Sequence, residues 1–171
     1  KKIESFFLER LENALPVNAS IFRAALCGLD THNQPQRDIN TLTQNALALH
    51  EVFQSTQDKP ALLSTFKRVA NICKDIDINA LDSVDSLDTS LFVHKAESSL
   101  FESFMRVKNG EFATQLDRAS ALFALKSPLE MFFENVLVND KNERLKRNRY
   151  ALIGSIYREF LTIGDIAQIA I

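Results

Sequence analysis

Apolar residues recur at helical spacing from one end of the chain to the other, with no run that alternates as a half-buried strand would. The pattern is clearest near the C-terminus. Leu129, Phe132, Phe133, Val136 and Leu137 stand at i, i+3, i+4, i+7 and i+8, a single stripe down one helix face. Leu145, Leu152, Ile153, Ile156, Phe160 and Ile163 form a second stripe. Stripes of this kind must be buried against one another, so the chain is predicted to be all-α, an irregular bundle of about seven to eight helices. Only four glycines and four prolines are present, which suits long helices with short connections. With 171 residues the chain can bury one substantial core.

Taken in order, Ile3, Phe6, Phe7, Leu11 and Leu15 predict a first helix ending near Pro16. A short second helix is expected from about Asn18, closed at Gly28. The third spans Asp38 to Gln54, with Ile39, Leu42, Ala46, Leu49 and Phe53 inward. The fourth follows Pro60, burying Leu62, Phe66, Val69, Ala70, Cys73 and Ile76. Aspartates at 75, 77, 82, 85 and 88 mark a connector of broken helicity over 75–90. It divides sub-bundles 1–74 and 91–171 of one domain. A fifth helix is expected over 91–108 and a sixth over 111–125.

Two more helices finish the chain. Ser127-Pro128-Leu129-Glu130 has the form of a capping box with proline in the first turn. Loss of that serine cap is expected to cost about 1 kcal/mol. Asp140 to Glu143 repeats the pattern before the last helix.

Charge and motifs exclude several classes. The net charge is −2, so neither a broadly basic nucleic-acid binder nor a disordered acidic chain is indicated. No apolar run approaches the roughly 20 residues that span a bilayer. Cys27 and Cys73 stand alone in amphipathic patterns, consistent with reduced, buried thiols in a cytoplasmic protein. His32, His50 and His94 are dispersed and match no metal-ligand spacing, and no glycine-rich phosphate loop or nucleophile elbow occurs. No catalytic residue, metal site or cofactor is expected in this chain.

Cations are placed more tellingly. Lys67, Asn71 and Lys74 line one face of the fourth helix, with Arg68 beside them. On the last helix Arg144, Arg147 and Arg158 share the face opposite the apolar stripe, separated only by Ala151 and Ser155. Cations beside small side chains let a phosphate backbone approach. Tyr150 and Tyr157 fall at the rim, where a ring can stack on an unpaired base. Solvated basic faces and rim tyrosines are also ordinary features of bundles. Arg149 differs, because its wheel position lies inside the apolar face. A buried cation requires a partner, and Glu130, Glu134 and Asp165 are the carboxylates considered.

These residues resemble a known family. Residues 128–138 (PLEMFFENVLV) followed by 148–167 (NRYALIGSIYREFLTIGDIA) are similar to the C-terminal signature of the bacterial glycyl-tRNA synthetase β subunit. Ser127, Pro128, Glu130, Phe132, Phe133, Asn148, Arg149 and Asp165 carry that motif. Residues 66–72 (FKRVANI), 7–11 (FLERL) and the helix from Asp38 to Phe53 match further blocks of the family in order. The resemblance implies a helical anticodon-binding domain of the DALR type, like that ending arginyl-tRNA synthetase. It implies a piece of a longer subunit that grips glycine tRNA. The α subunit of an α2β2 enzyme would activate glycine with ATP and magnesium, with no role for DNA or a membrane. The alternative is a helical module that docks on the α subunit or on the rest of β without touching the anticodon. Arg149, although part of the motif, is expected to serve the core rather than the RNA.

Overall fold

The computed structural model describes residues 2–30, 32–74, 76, 81 and 83–170. Among the described residues eight helices follow one another: α1 (Lys2–Ala14), α2 (Ala19–Leu26), α3 (Ile39–Ser55), α4 (Lys59–Cys73), α5 (Lys95–Lys108), α6 (Gln115–Phe123), α7 (Lys126–Asn135) and α8 (Glu143–Leu161). Three-residue 3-10 turns at Val84–Ser86, Thr89–Leu91 and Ile166–Gln168 complete the order. Among the described residues there is no strand, only an isolated bridge between Leu29 and Pro35. The chain is an all-α helical bundle.

Most helix starts have a local chemical cause. Asn18, Asp38, Asp58 and Asn142 each accept a backbone N–H of the first turn through the side chain, satisfying donors that the helix itself leaves open. Thr114 and Asp117 form a reciprocal capping box ahead of α6.

The core gathers where α3, α4, α6 and α8 meet. Phe66 packs on Phe123 and Phe160 with ring centroids 5.1 and 4.6 Å apart. Phe53 meets Phe123 edge-on at 5.5 Å. Residues before and after the acidic connector thus belong to one continuous apolar cluster. The two ends of the chain are also joined. Leu29 N–H donates to Leu161 O at 2.7 Å and Asp165 N–H to Ala24 O at 2.8 Å. A side chain at Gly164 would place its Cβ 2.8 Å from Ala24 O, so glycine is what lets these backbones approach.

Several expectations need correction. Ser127 does not cap α7: the chain passes from α6 through Ala124 and Leu125, both in helical conformation, and α7 begins at Lys126 with no side-chain cap. With no break between the helices, no N-cap position falls on Ser127. Glu130 instead pairs with Lys126 at 2.6 Å and accepts the Thr65 hydroxyl at 3.0 Å. At α8 the cap is Asn142, one residue before Glu143, while Asp140 accepts Asn142 N–H at 2.8 Å and so shapes the turn. The fifth helix starts at Lys95 rather than Leu91, which sits in a 3-10 turn.

Phe6, Phe7, Ile39 and Leu137 are exposed although their spacing places them inward. Ile39 is the first residue of α3 and Leu137 lies just past the end of α7, where the stripes run out. The side chain of Ile3 lies outside the description. Cys27 is exposed and Cys73 buried, and burial pushes the Cys73 thiol up to about 12. The connector's Asp75, Asp77 and Asp82 lie outside the described residues. Its remainder, from Ser83 onward, has two 3-10 turns and no α-helix.

Candidate functional site

The motif residues of the last two helices build a joint. Asn148 is buried and exchanges two hydrogen bonds with the backbone of Asp88: its Nδ2 donates to the carbonyl and its Oδ1 accepts the N–H, both at 3.1 Å. A side-chain amide therefore anchors the connector to α8 as a strand neighbour would. One residue on, Arg149 is also buried. Its Nε donates to Glu97 at 2.8 Å, and its Nη1 to Asp140 at 2.7 Å and to the Leu137 carbonyl at 3.0 Å. Glu97 is 1% exposed, and its second oxygen accepts the backbone N–H groups of Val93 and His94 at 2.9 and 2.8 Å. Arg149 thus binds the start of α5, the loop after α7 and α8 into one unit. The hydrogen bond from Asn142 and that from Arg149 hold the Asp140 carboxyl below the usual aspartate range.

Arg149 is paired with carboxylates, as its buried place requires, but not with those expected: Glu97 and Asp140 take the place of Glu130, Glu134 and Asp165. Sequence reasoning missed Glu97. Its signal was local: a glutamate three residues after His94 at a helix start, the glutamate half of a capping box, which the structure contains. Asp165 instead accepts the Tyr157 hydroxyl at 3.1 Å and caps the final 3-10 turn through Ala167 N–H at 3.1 Å. Burial and the Asp165 carboxylate push the Tyr157 phenol well above its ordinary value.

The cations of α8 do not form the continuous face expected of them. Ala151 and Ser155, the small residues that were to lie open between the arginines, are buried. Every residue from Ala151 to Ile156 is buried, because α8 is packed on all sides through its middle. Arg144, 76% exposed, and Arg147, also exposed, stand at its first turns. Asp88 lies 3.7 Å from Arg144. Arg158 is half-buried beside Cys73. At 1.5 Å per residue it is about 21 Å along the helix from Arg144. Tyr150 and Tyr157 are half-buried against the core.

The α4 group keeps its predicted arrangement. Arg68, Asn71 and Lys74 are exposed and Lys67 half-exposed, while Val69, Ala70 and Cys73 turn inward. α4 is fixed to α7 along a short seam. Thr65 donates to Glu130, and one turn further the Arg68 guanidinium carbon sits 4.3 Å over the centre of the Phe133 ring.

A separate open cleft of about 1040 Å³ is lined by Leu47, His50, Phe112, Leu116, Arg118 and Glu159 among others, and none of the predicted site residues lines it. Arg118 and Glu159 are ion-paired there. Among the described residues no helix is long and apolar enough to cross a membrane, and no group of three His, Cys, Asp or Glu side chains is placed to hold a metal ion.

Known proteins resemble the chain over nearly all of it. No protein-family model matches. The chain is 38% identical over 99% of its length to the glycine–tRNA ligase β subunit of Helicobacter pylori strain G27, of which it spans 23%. It is 31% identical over 72% of its length to the same subunit of Nitrosomonas eutropha, spanning 18% of that protein. The corresponding figures for Syntrophotalea carbinolica are 35%, 69% and 17%. The chain is therefore homologous, from its first helix to its last turn, to a region that makes up about a quarter of the Helicobacter glycine–tRNA ligase β subunit.

Proposed function

We propose that this chain is a tRNA-gripping region of a glycyl-tRNA synthetase β subunit, a DALR-type domain that recognises the anticodon arm. It would act without catalysing anything itself, supporting the ATP-dependent attachment of glycine to its tRNA by a whole α/β enzyme. The ATP, the magnesium and the activation of glycine would belong to the α subunit. The observation that carries this reading is the α4 outer face, set in a chain related end to end to that subunit. Lys67, Arg68, Asn71 and Lys74 are presented side by side to solvent on a helix whose other face is locked into the core. Arg144 and Arg147 offer a second, smaller cationic point at the start of α8. Because the net charge is −2, attraction for RNA is local to such faces and its salt dependence reports them directly.

Titration with glycine tRNA at several salt concentrations tests the proposal. Each phosphate contact contributes about 0.7 to the slope of log K against log salt for single strands. Replacing Lys67 and Lys74 by alanine should lower the slope by about 1.4 if both touch phosphate. An unchanged slope in a folded variant would remove α4 from the interface.

A protein-docking role has its own supporting observation. Val93 is 74% exposed and Leu137 68% exposed, and both flank the Arg149 cluster, Val93 through Glu97 and Leu137 through its carbonyl. Two apolar side chains held out on a rigid joint suit contact with the α subunit or the rest of β. Under that reading tRNA binding is absent and Leu137→Ser weakens association with the partner.

A further inference from the structure

Arg68 is held in a way that phosphate binding alone does not require. Neutralising a phosphate needs a cation within reach of it, and it does not need that cation to lie flat on a ring. The Arg68 guanidinium is instead laid over the Phe133 ring at 4.3 Å. Phe133 is buried, with its other neighbours in the core and Phe132 edge-on at 5.6 Å, so the ring cannot swing away. Among the described residues no carboxylate is bonded to Arg68. Glu130, on the same seam, is engaged by Lys126 and Thr65. Thr65–Glu130 and Arg68–Phe133 advance one turn together along α4 and α7, so the platform is fixed at two points. Arg68 itself is exposed to solvent.

We infer that Arg68, backed by Phe133, is a stacking platform for one unpaired base of the bound RNA, with Lys67, Asn71 and Lys74 beside it to take the adjoining backbone. Unpaired bases stack on aromatic rings and on guanidinium planes alike. A guanidinium already resting on a ring is pre-ordered for the purpose, so less side-chain freedom is lost on binding. The inference rests on the tRNA-binding reading. It goes further by giving Arg68 a base to hold and its neighbours the phosphates.

The test uses an RNA hairpin with the anticodon loop of glycine tRNA, 2-aminopurine replacing one loop nucleotide at a time, and the same stem closed as a duplex. With the unaltered chain, fluorescence at one loop position should be quenched on binding, and the duplex should give no quench. Arg68→Lys keeps the charge and removes the planar face. It should abolish the quench and weaken binding about 5- to 150-fold, the range that loss of one stacked base gives, while the salt slope stays unchanged. Phe133→Leu, checked for folding by circular dichroism, should also reduce the quench with every cation in place. If Arg68→Lys matches the unaltered chain in affinity and quench, the platform is overturned while RNA binding stands. If the unaltered chain fails to bind the hairpin at any salt concentration, the tRNA-binding reading falls and the platform with it.

Discussion

Arg149 and Arg68 both touch α7 or the residues just after it, and they meet opposite physical problems. Arg149 is buried, and three acceptors satisfy it: two carboxylates and a carbonyl. Arg68 is exposed and rests on an aromatic face, with no carboxylate bonded to it among the described residues. The first arrangement answers a desolvation cost, since a buried guanidinium is tolerated only when paired and hydrogen-bonded. The second answers no such cost, because water would satisfy Arg68 equally well on a free helix face. An arginine of high identity value in the sequence motif thus belongs to the scaffold. A less conspicuous one, on a helix that the scaffold fixes in place, is available to a ligand.

The contrast is sharpest in stability. Arg149→Met leaves Glu97 buried, with one oxygen facing no cation, and should cost about 3–5 kcal/mol, the range for breaking one side of a buried pair. Arg68→Ala removes an exposed cation–ring contact and should cost about 0.5–1 kcal/mol. Urea unfolding followed by circular dichroism measures both, with the slope against denaturant checked for constancy. Equal losses in the two variants would break the distinction between a buried, paired arginine and an exposed one. The ordering of effects on RNA affinity should be the reverse, once Arg149→Met is compared at a temperature where it is folded.

How much of this was legible in the sequence depends on what sets each feature. The helical class and the buried face of α4 follow from local periodicity, which the chain displays openly. The inward-facing Leu62, Phe66, Val69, Ala70 and Cys73 of α4 are where their spacing puts them. Features decided by a second element were not legible. Ala151 and Ser155 read as surface on the α8 wheel, yet neighbours on all sides bury them, and a wheel holds no information about how many neighbours a helix will have. Arg149 was legible as a paired cation because burial alone demands a partner. Its partner Glu97 was not, because the two are brought together only by the α5–α8 packing. The same limit applies to Arg68: its place on α4 is a matter of spacing, but Phe133 beneath it comes from a helix more than sixty residues away.

Helix starts give the smallest and most local form of the distinction. Thr114 and Ser127 both precede acidic residues by three positions, and both look like capping serine or threonine. In α6 the box is real: Thr114 Oγ1 accepts Asp117 N–H at 3.1 Å, and Asp117 accepts Thr114 N–H at 3.0 Å. In α7 the helix already includes Lys126, so Ser127 lies inside the first turn with its hydroxyl exposed. Thr114→Ala should therefore cost about 1 kcal/mol. Ser127→Ala should stay within about 0.5 kcal/mol of zero, as an exposed helical position does. The serine variant also probes the seam. Lys126, Glu130 and Phe133 set the α7 surface that Thr65 and Arg68 use, and none of them depends on a Ser127 cap. RNA affinity should accordingly be unchanged in Ser127→Ala. A loss near 1 kcal/mol there would mean that α7 begins at Ser127 after all, with Lys126 outside the helix. In that case the Lys126–Glu130 ion pair would no longer be an i,i+4 contact within one helix.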